Sequence, residues 1–447
     1  MGTAQDPIRA YHTEVNRYYL RNAIGIMVDN SMFYIISLGL SQFTVLPLYL
    51  SKLTSSKILI GLIPAIFIVG FAVPQLFIAR FLKGKRRTKK YIFWVAAIQR
   101  VSILAFLILT LVQNRLSNHL TIILFFITIA LQNLISGCWY PMWVDFIGHA
   151  IPRRRGMVFG MSYLIGGILS LASGGILTYL LEDLPYPMGI SAAAGIAFIA
   201  SLISLAAIST WHETVLPENV EIPTEQILGQ GIFNKVKLNI NFKNYLIWRG
   251  VIIGMEMALP FYTVCALERL NLQDAQVGIF AIILSLSQTA MNVFWGWLGD
   301  RIGYLKIVIF STILGCVGTV IAADAFSLVI FYIAFICAGA MLSGQQLAAI
   351  NIIYEFSESD QIPVYTAVTQ VVLSPLSGLM PVIGGIFVNI LGYIPTFLVA
   401  GLFGAGGAVG MLFNVRNPFE KHKKQLQPPK TMKSREMTHF QNVDKKP

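Results

Sequence analysis

The feature that most constrains this chain is a series of twelve apolar stretches, each long enough for a helix to cross a lipid bilayer. A membrane-spanning helix needs about 20 mainly apolar residues. The twelve stretches occupy 22–50, 58–82, 91–113, 120–147, 157–181, 186–210, 245–268, 275–299, 306–325, 327–354, 364–390 and 393–415. Repeated Gly and Ser inside them favour close helix–helix contact. We therefore predict an all-α membrane protein with twelve transmembrane helices.

The composition agrees with a chain whose main solvent is lipid. Charged residues make up 12 % of the chain, about half the share that is typical of soluble domains. This excludes a disordered chain, a coiled coil and an ordinary soluble enzyme. The four cysteines lie inside apolar stretches and the six histidines lie in loops or at span ends, without metal-ligand spacing. We predict no metal site, no cofactor and no enzymatic activity.

The positions of Lys and Arg predict that both termini are cytoplasmic, because cytoplasmic loops carry an excess of these residues. With this orientation, 19 of them fall on the inner side before the C-terminal tail, and only Lys52, Lys57, Arg115 and Arg269 fall on the outer side. The net charge of +12 is then mainly a topology signal. We expect no nucleic-acid partner, and we expect a monomer in the plasma or cytoplasmic membrane.

A long polar loop divides the chain into two halves with six predicted spans each. The predicted organisation is a cytoplasmic segment at 1–21, a six-helix bundle at 22–210, a cytoplasmic linker at 211–244, a second six-helix bundle at 245–415 and a cytoplasmic tail at 416–447. An offset of 210 positions aligns Asp145 with Glu355 and Gly174 with Gly384. Parallel repeats of six spans are typical of one large class of transporters.

The loop between the eighth and ninth spans carries Gly296, Asp300, Arg301, Gly303 and Lys306 in a regular spacing. The first glycine would allow close packing and the second a tight turn. The aspartate can accept hydrogen bonds from a helix N-terminus or a basic residue, while the two basic residues hold the loop at the inner face. This pattern resembles the G-x-x-x-D-R-x-G-x-x-K signature of the major facilitator superfamily.

The resemblance covers about residues 20–415 and implies the fold of that superfamily, with transport by alternating access between two bundles. The equivalent loop of the first half, which begins at Ala79, contains no acid. Asp145, at the inner end of the fourth span, is followed by a basic turn at 151–156. That stretch resembles the superfamily's loop between spans four and five, so we predict an alternative ionic contact there.

Three ionisable residues lie well inside the predicted spans, where charge is costly and often functional. Asp29, Arg100 and Glu256 all lie roughly 10–15 Å from the inner ends of their spans. Asp29, with Asn30, is a candidate solute or proton site, and Glu256 is the better candidate for proton coupling. For both acids a purely structural role remains open. For Arg100 we predict structural pairing with Asp29 or with a carbonyl of the second span.

Amide side chains and two prolines complete the predicted site. The resemblance places these amides along the central cavity, where they can bind a polar solute or hold helices together; they are Gln132, Asn133, Gln288, Asn292, Gln345, Gln346 and Gln370. Pro375 and Pro381 are predicted to bend the eleventh span, since proline interrupts the helical hydrogen bonds.

We therefore predict a secondary transporter that moves a small organic solute, coupled to protons. A lipid or lysolipid flippase on the same fold is one alternative, and a non-transporting membrane receptor or assembly factor is the other. No residue of the sequence identifies the solute.

Overall fold

A computed structural model describes residues 6–82, 87–151, 155–214, 239–357 and 362–419. Several predictions fall outside these residues: those on the greater part of the 211–244 linker, on the 416–447 tail beyond 419, and on part of the basic runs near 83–90 and 151–156.

The described residues form fourteen α-helices and no strand. In the N-terminal half they are α1 (Asp6–Gly39), α2 (Val45–Ser51), α3 (Lys57–Leu82), α4 (Lys89–Val112), α5 (Asn118–Ala150), α6 (Arg155–Asp183) and α7 (Met188–Thr210). In the C-terminal half they are α8 (Ile240–Ile253), α9 (Phe261–Leu270), α10 (Gln276–Ile302), α11 (Tyr304–Ala323), α12 (Leu328–Phe356), α13 (Ile362–Leu391) and α14 (Tyr393–Asn414).

Eleven stretches of the described chain are long and apolar enough to cross a membrane. They coincide with eleven of the twelve predicted spans to within a few residues, and the prediction of an all-α membrane protein is confirmed. The first helix is not among the eleven, because polar residues such as Asp29 and Asn30 interrupt its apolar part. Its 34 residues would extend about 51 Å, so it is longer than a bilayer requires. The predicted segment boundary at 21/22 therefore falls inside α1.

Two predicted spans are broken rather than continuous. The first, predicted as 22–50, ends as a helix at Gly39, and the short α2 follows after a turn. The seventh, predicted as 245–268, consists of α8, a 3₁₀ turn at Gly254–Met257, and α9. Pro260 directly precedes α9 and has no N–H to continue the helical ladder from α8. Each half thus opens with a divided span, of 34 and 7 residues in the first half and of 14 and 10 residues in the second.

The helices pack into two groups, whose most extensive contacts with each other are two helix pairs. In the N-terminal half α1 packs against α6 and α7, and α5 packs against α3 and α4. In the C-terminal half α12 packs against α10 and α11, and α14 packs against α8 and α11. The two halves meet where α3 contacts α13 and where α6 contacts α10. We call the end that carries Lys52 the outer end and the end that carries Arg301 the inner end, following the predicted orientation.

Glycines bring the two halves into backbone contact toward the outer end. A Cβ atom added to Gly61 of α3 would lie 2.1 Å from the carbonyl oxygen of Pro381 in α13. One added to Gly278 of α10 would lie 2.3 Å from Oγ1 of Thr178 in α6. By contrast, a Cβ on Gly160, in the inner part of α6, would meet no described atom within 4 Å. The halves are thus tightly joined at the outer side.

The α3–α13 contact generates a stability prediction. Replacing Gly61 by Ala forces the two helices apart, and overpacking of this kind usually costs about 1–3 kcal/mol. We expect the thermal unfolding midpoint of the detergent-purified protein to fall by several degrees. The matched control is Gly175→Ala in α6, where a Cβ meets no described atom within 4 Å; alanine's better helix propensity should leave this midpoint unchanged or slightly higher. Equal midpoints for both variants would contradict the close approach.

Candidate functional site

Asp29 and Arg100 are joined through one serine hydroxyl inside the N-terminal half. Nη2 of Arg100 donates to Oγ of Ser204 at 2.5 Å, and that hydroxyl donates to Oδ1 of Asp29 at 2.6 Å. Arg100 also donates to the carbonyl oxygens of Ser201 and Ala96, at 3.1 Å each. Because a buried ion pair is tolerated when its remaining polar atoms are bonded, this network neutralises both charges within the bundle.

The placement of Asp29 differs from that of a residue lining an opening between the halves. Asp29, Arg100 and Ser204 are all buried, and they link α1, α4 and α7. Of the two predicted partners of Arg100, Asp29 is the one beside it, joined through Ser204, and the carbonyls to which Arg100 donates lie on α4 and α7. Asn30 is half-buried, and its Nδ2 has no hydrogen-bond partner among the described residues.

Glu256 lies in the break between α8 and α9. The break keeps its backbone groups bonded by short-range hydrogen bonds, in which the amide of Ala258 donates to Met255 and that of Leu259 donates to Glu256. Neighbouring glycines allow other helices to cover it. A Cβ on Gly384 of α13 would lie 2.2 Å from the carbonyl oxygen of Met257. The break is therefore enclosed by protein, as non-helical backbone at membrane depth must be.

The carboxyl group of Glu256 has two polar neighbours and remains partly accessible. The Ser377 hydroxyl of α13 forms a hydrogen bond with it, and Arg249 of α8 interacts with it electrostatically. Glu256 is half-buried, whereas Arg249 is only 8 % exposed. The acid is therefore the accessible member of a charged pair in the C-terminal half.

The predicted amides divide into two groups. Three of them hold helices internally: Gln132 accepts from Ser102 at 2.6 Å, Asn133 donates to a carbonyl of its own helix, and Gln345 donates to Thr312 at 2.7 Å. The other four are half-buried or exposed; they are Gln288, Asn292, Gln346 and Gln370. Of these, Gln370 accepts a hydrogen bond through its Oε1 from the hydroxyl of Ser374 in the same helix, at 2.9 Å.

Exposed polar side chains from both halves lie at one depth in the membrane. Asn292, Gln346 and Tyr140 each lie ten residues from the inner end of their helix, or about 15 Å at 1.5 Å per residue. Polar groups within membrane spans are rarely exposed to lipid and usually face an interior or a water-filled cavity. These three residues are therefore candidates for the lining of a polar opening on the inner side.

Aromatic side chains form the N-terminal wall at this level. The rings of Tyr140 and Trp143 stack with centroids 5.9 Å apart, and Phe159 links Trp143 to Tyr163 through centroid distances of 6.0 and 6.3 Å. Tyr140 and Tyr163 remain 39 % and 48 % exposed. By contrast, Trp295 in the C-terminal half is buried and donates to the carbonyl of Ala340. Exposed side chains at this level are therefore aromatic in the N-terminal half and amides in the C-terminal half.

The signature loop is built partly as predicted. Gly303 has a positive φ of 88°, which the tight turn between α10 and α11 requires. Asp300 accepts from the hydroxyl of Tyr304 at 2.8 Å, rather than from a helix N-terminus or a basic residue. The Arg301 guanidinium lies 4.1 Å from the ring centroid of Trp297, and Lys306 is exposed.

Two other details of this region differ from the prediction. Gly296 is not needed for close packing, because a Cβ there would lie 3.8 Å from Leu347 in ordinary contact. The carboxylate that caps the N-terminus of α11 is Glu355 of α12, whose Oε1 accepts from the amide of Tyr304 at 2.9 Å. Its repeat partner Asp145 is half-buried in α5, and Arg153 and Arg154 of the basic turn lie outside the described residues. Pro375 and Pro381 both lie within the continuous helix α13.

Sequence reasoning missed the ionic contacts that close the outer end. Lys52 pairs with Asp274 at 2.8 Å, and Lys57 pairs with Glu268. Glu268 also accepts from the hydroxyl of Tyr393 at 2.7 Å. Both lysines belong to the N-terminal half and both acids to the C-terminal half. The signal in the sequence was the rarity of Lys on the outer side, together with acids in the outer loop between spans seven and eight.

The serine bridge of the N-terminal half generates the second prediction. Ser204→Ala leaves the buried Arg100 and Asp29 without their shared hydroxyl, and an unsatisfied buried polar group typically costs about 1–3 kcal/mol. We expect a lower thermal unfolding midpoint in detergent. Ser209→Ala is the control on the same helix, since Ser209 is exposed and its hydroxyl donates to the carbonyl oxygen of Ala206 in its own helix. A Ser204 variant as stable as the control would mean that the bridge does not bear on stability.

Comparisons with known proteins agree with this architecture. Residues 250–443 match the sequence model of the Major Facilitator Superfamily, while no curated protein sequence matches the chain. A crystal structure of the nucleoside transporter NupG has a TM-score of 0.64 at 13 % identity, covering 88 % of this chain and 98 % of that one.

Two xylose transporter structures are similar as well. The D-xylose-proton symporter has a TM-score of 0.67 at 11 % identity, covering 90 % of this chain and 98 % of that one. XylE from E. coli, in a partially occluded inward open conformation, has a TM-score of 0.60 at 13 % identity, covering 89 % and 100 %. These proteins are transporters rather than enzymes. The matches confirm the resemblance of this chain to the major facilitator superfamily, whose fold it has.

Proposed function

We propose that this protein is a secondary transporter that carries a small polar organic solute by alternating access, together with protons. The two bundles, predicted at 22–210 and 245–415, act as the moving halves, and both termini lie in the cytoplasm. The observation that carries the proposal is the shared depth of Asn292 and Gln346 opposite Tyr140. Amides and tyrosine rings from opposite halves can contact one solute at that depth.

The chemistry of this opening supports a polar solute with a flat face over a lipid. Amide groups donate and accept hydrogen bonds, and exposed aromatic rings offer a flat apolar surface. An acyl chain would leave the amides of Asn292, Gln346 and Gln370 without partners. The similar structures include a nucleoside transporter and a D-xylose-proton symporter, which agrees with a polar solute.

Glu256 is the proposed proton-binding group. It is half-buried, it lies at a helix break, and it can exchange a proton without breaking a backbone hydrogen bond. By contrast, Asp29 is enclosed by Arg100 and Ser204 within one half, so we assign it a structural role. Tight outer contacts and the open surface near Gly160 support a conformation that is accessible from the inner end.

Replacing Glu256 tests proton coupling. In proteoliposomes screened with a panel of nucleosides, sugars and amino acids, we expect uptake of the transported solute to be driven by an imposed pH gradient. Glu256→Gln removes the proton-binding group, so gradient-driven accumulation should fall about tenfold or more, the equivalent of 1.4 kcal/mol of coupling, while counterflow of unlabelled solute persists. Asp324→Asn, at an exposed acid in an outer loop, should leave accumulation unchanged. Unaltered pH dependence in the Glu256 variant would overturn the assignment.

Asn292→Ala tests the amide wall. Loss of one hydrogen bond to the solute is worth about 1 kcal/mol, so KM for uptake should rise about fivefold while the thermal unfolding midpoint stays the same. Asn414→Ala is the control, because this exposed amide at the inner end of α14 donates only to Gly410 of its own helix. A KM equal to that of the control would place the solute elsewhere.

A further inference from the structure

Arg249 is a buried cation whose hydrogen bonding is incomplete. Its side chain is 8 % exposed, and its Nη1 has no hydrogen-bond partner among the described residues. A buried charge without full compensation is strongly destabilising. Arg100, the corresponding buried cation of the N-terminal half, donates from all three guanidinium nitrogens. The incomplete bonding of Arg249 therefore calls for an explanation beyond packing.

Two carboxylates flank Arg249 along the membrane normal. Glu256, seven residues later, interacts with it electrostatically. Toward the inner end, the ring of Tyr245, one turn before Arg249, lies 5.3 Å from the ring of Phe356, which adjoins Glu355, and Tyr245 interacts electrostatically with both Arg249 and Glu355. Glu355 also has a spare acceptor, since its Oε2 is buried without a hydrogen-bond partner among the described residues. A free donor and a free acceptor of opposite charge thus lie on either side of Tyr245.

The surroundings of these groups contain few competing charges. α13 contributes the hydroxyl of Ser377 at Glu256, and α11 contributes the backbone amide of Tyr304 at Glu355. The helix α14, which packs along α8, carries no ionisable residue after Tyr393. Arg249 therefore has Glu256 and Glu355 as its carboxylate neighbours in the described part of this half.

We propose that Arg249 is a positioning residue that exchanges carboxylate partners, pairing with Glu256 when that acid is ionised and with Glu355 when Glu256 is neutral. The inference rests on the proposed function in taking Glu256 as the group that binds the proton. Neutralising Glu256 removes the charge that balances the Arg249 guanidinium. The attraction between Arg249 and Glu355 is then stronger than that between Arg249 and Glu256.

The exchange would connect the middle of the membrane to the signature loop. Glu355 caps α11 through the amide of Tyr304, and the hydroxyl of the same tyrosine donates to Asp300 in that loop. A stronger attraction between Arg249 and Glu355 would therefore change the hydrogen bonding of the turn between α10 and α11 at the inner end. Proton binding at Glu256 would thus bias the inner side of the C-terminal half.

A double-mutant cycle on the full-length protein in detergent tests this exchange without any solute. Glu256→Gln fixes the neutral form at that position, and Glu355→Gln removes the second partner. We expect Glu355→Gln to lower the thermal unfolding midpoint more in the Glu256→Gln background than in the wild type, because Arg249 then depends on Glu355 alone. In Arg249→Lys, which keeps the charge but loses the guanidinium fork, the difference between backgrounds should shrink.

The control is Asp324→Asn, whose effect on the midpoint should be the same in both backgrounds. Equal losses for Glu355→Gln in the two backgrounds would overturn the exchange, and so would a difference unaffected by Arg249→Lys. The cycle involves no transport, so its failure is distinguishable from failure of the proposed function. Conversely, a cycle that shows coupling without any pH-driven uptake would retain the partner exchange and remove only the transport role.

Discussion

The requirement that every backbone polar group be bonded inside the bilayer governs this structure more than any single side chain. Continuous helices meet it automatically, so the break between α8 and α9 is the exception that needs support. Short-range bonds from Ala258 and Leu259 supply part of that support. The helix α13 shields the break from lipid, because its Gly384 lies close to the backbone of Met257. An acid placed in such a break, Glu256, gains access to an opening at little further cost in backbone bonding.

The two halves treat buried charge in opposite ways. In the N-terminal half, Ser204 joins Arg100 to Asp29 and the guanidinium nitrogens are bonded, which makes the pair a rigid internal support. In the C-terminal half, Arg249 keeps an unpaired nitrogen and Glu256 stays partly accessible. Fully bonded polar networks fix one arrangement, whereas partly bonded ones leave alternatives within reach. The repeat therefore supplies the same scaffold twice and places the adjustable chemistry in one copy.

The sequence predicted the helices well because membrane spans are defined by length and hydropathy, which are local properties. The turn at Gly303 was predictable for the same reason. The breaks at 40–44 and 254–260 were not, since they lie inside apolar stretches and depend on cover from other helices. Similarly, Asp29 and Glu256 look alike in sequence, and only their tertiary neighbours separate them. Asp29 is buried beside a serine and an arginine from two other helices, while Glu256 is half-buried beside Ser377 of α13 and Arg249 of α8.

The outer closure combines strong shape fit with weak charge pairing. Lys52 and Asp274 are both partly exposed, and exposed ion pairs typically contribute only about 0–1 kcal/mol each. The backbone contact of Gly61 with Pro381 is specific, but it buries little polar surface that would resist separation. A solute that binds one conformation more tightly can shift the balance between a closed and an open outer end only when the two differ by a few kcal/mol. Moderate stability at the outer end is therefore what alternating access requires, and a stronger ionic lock would oppose it.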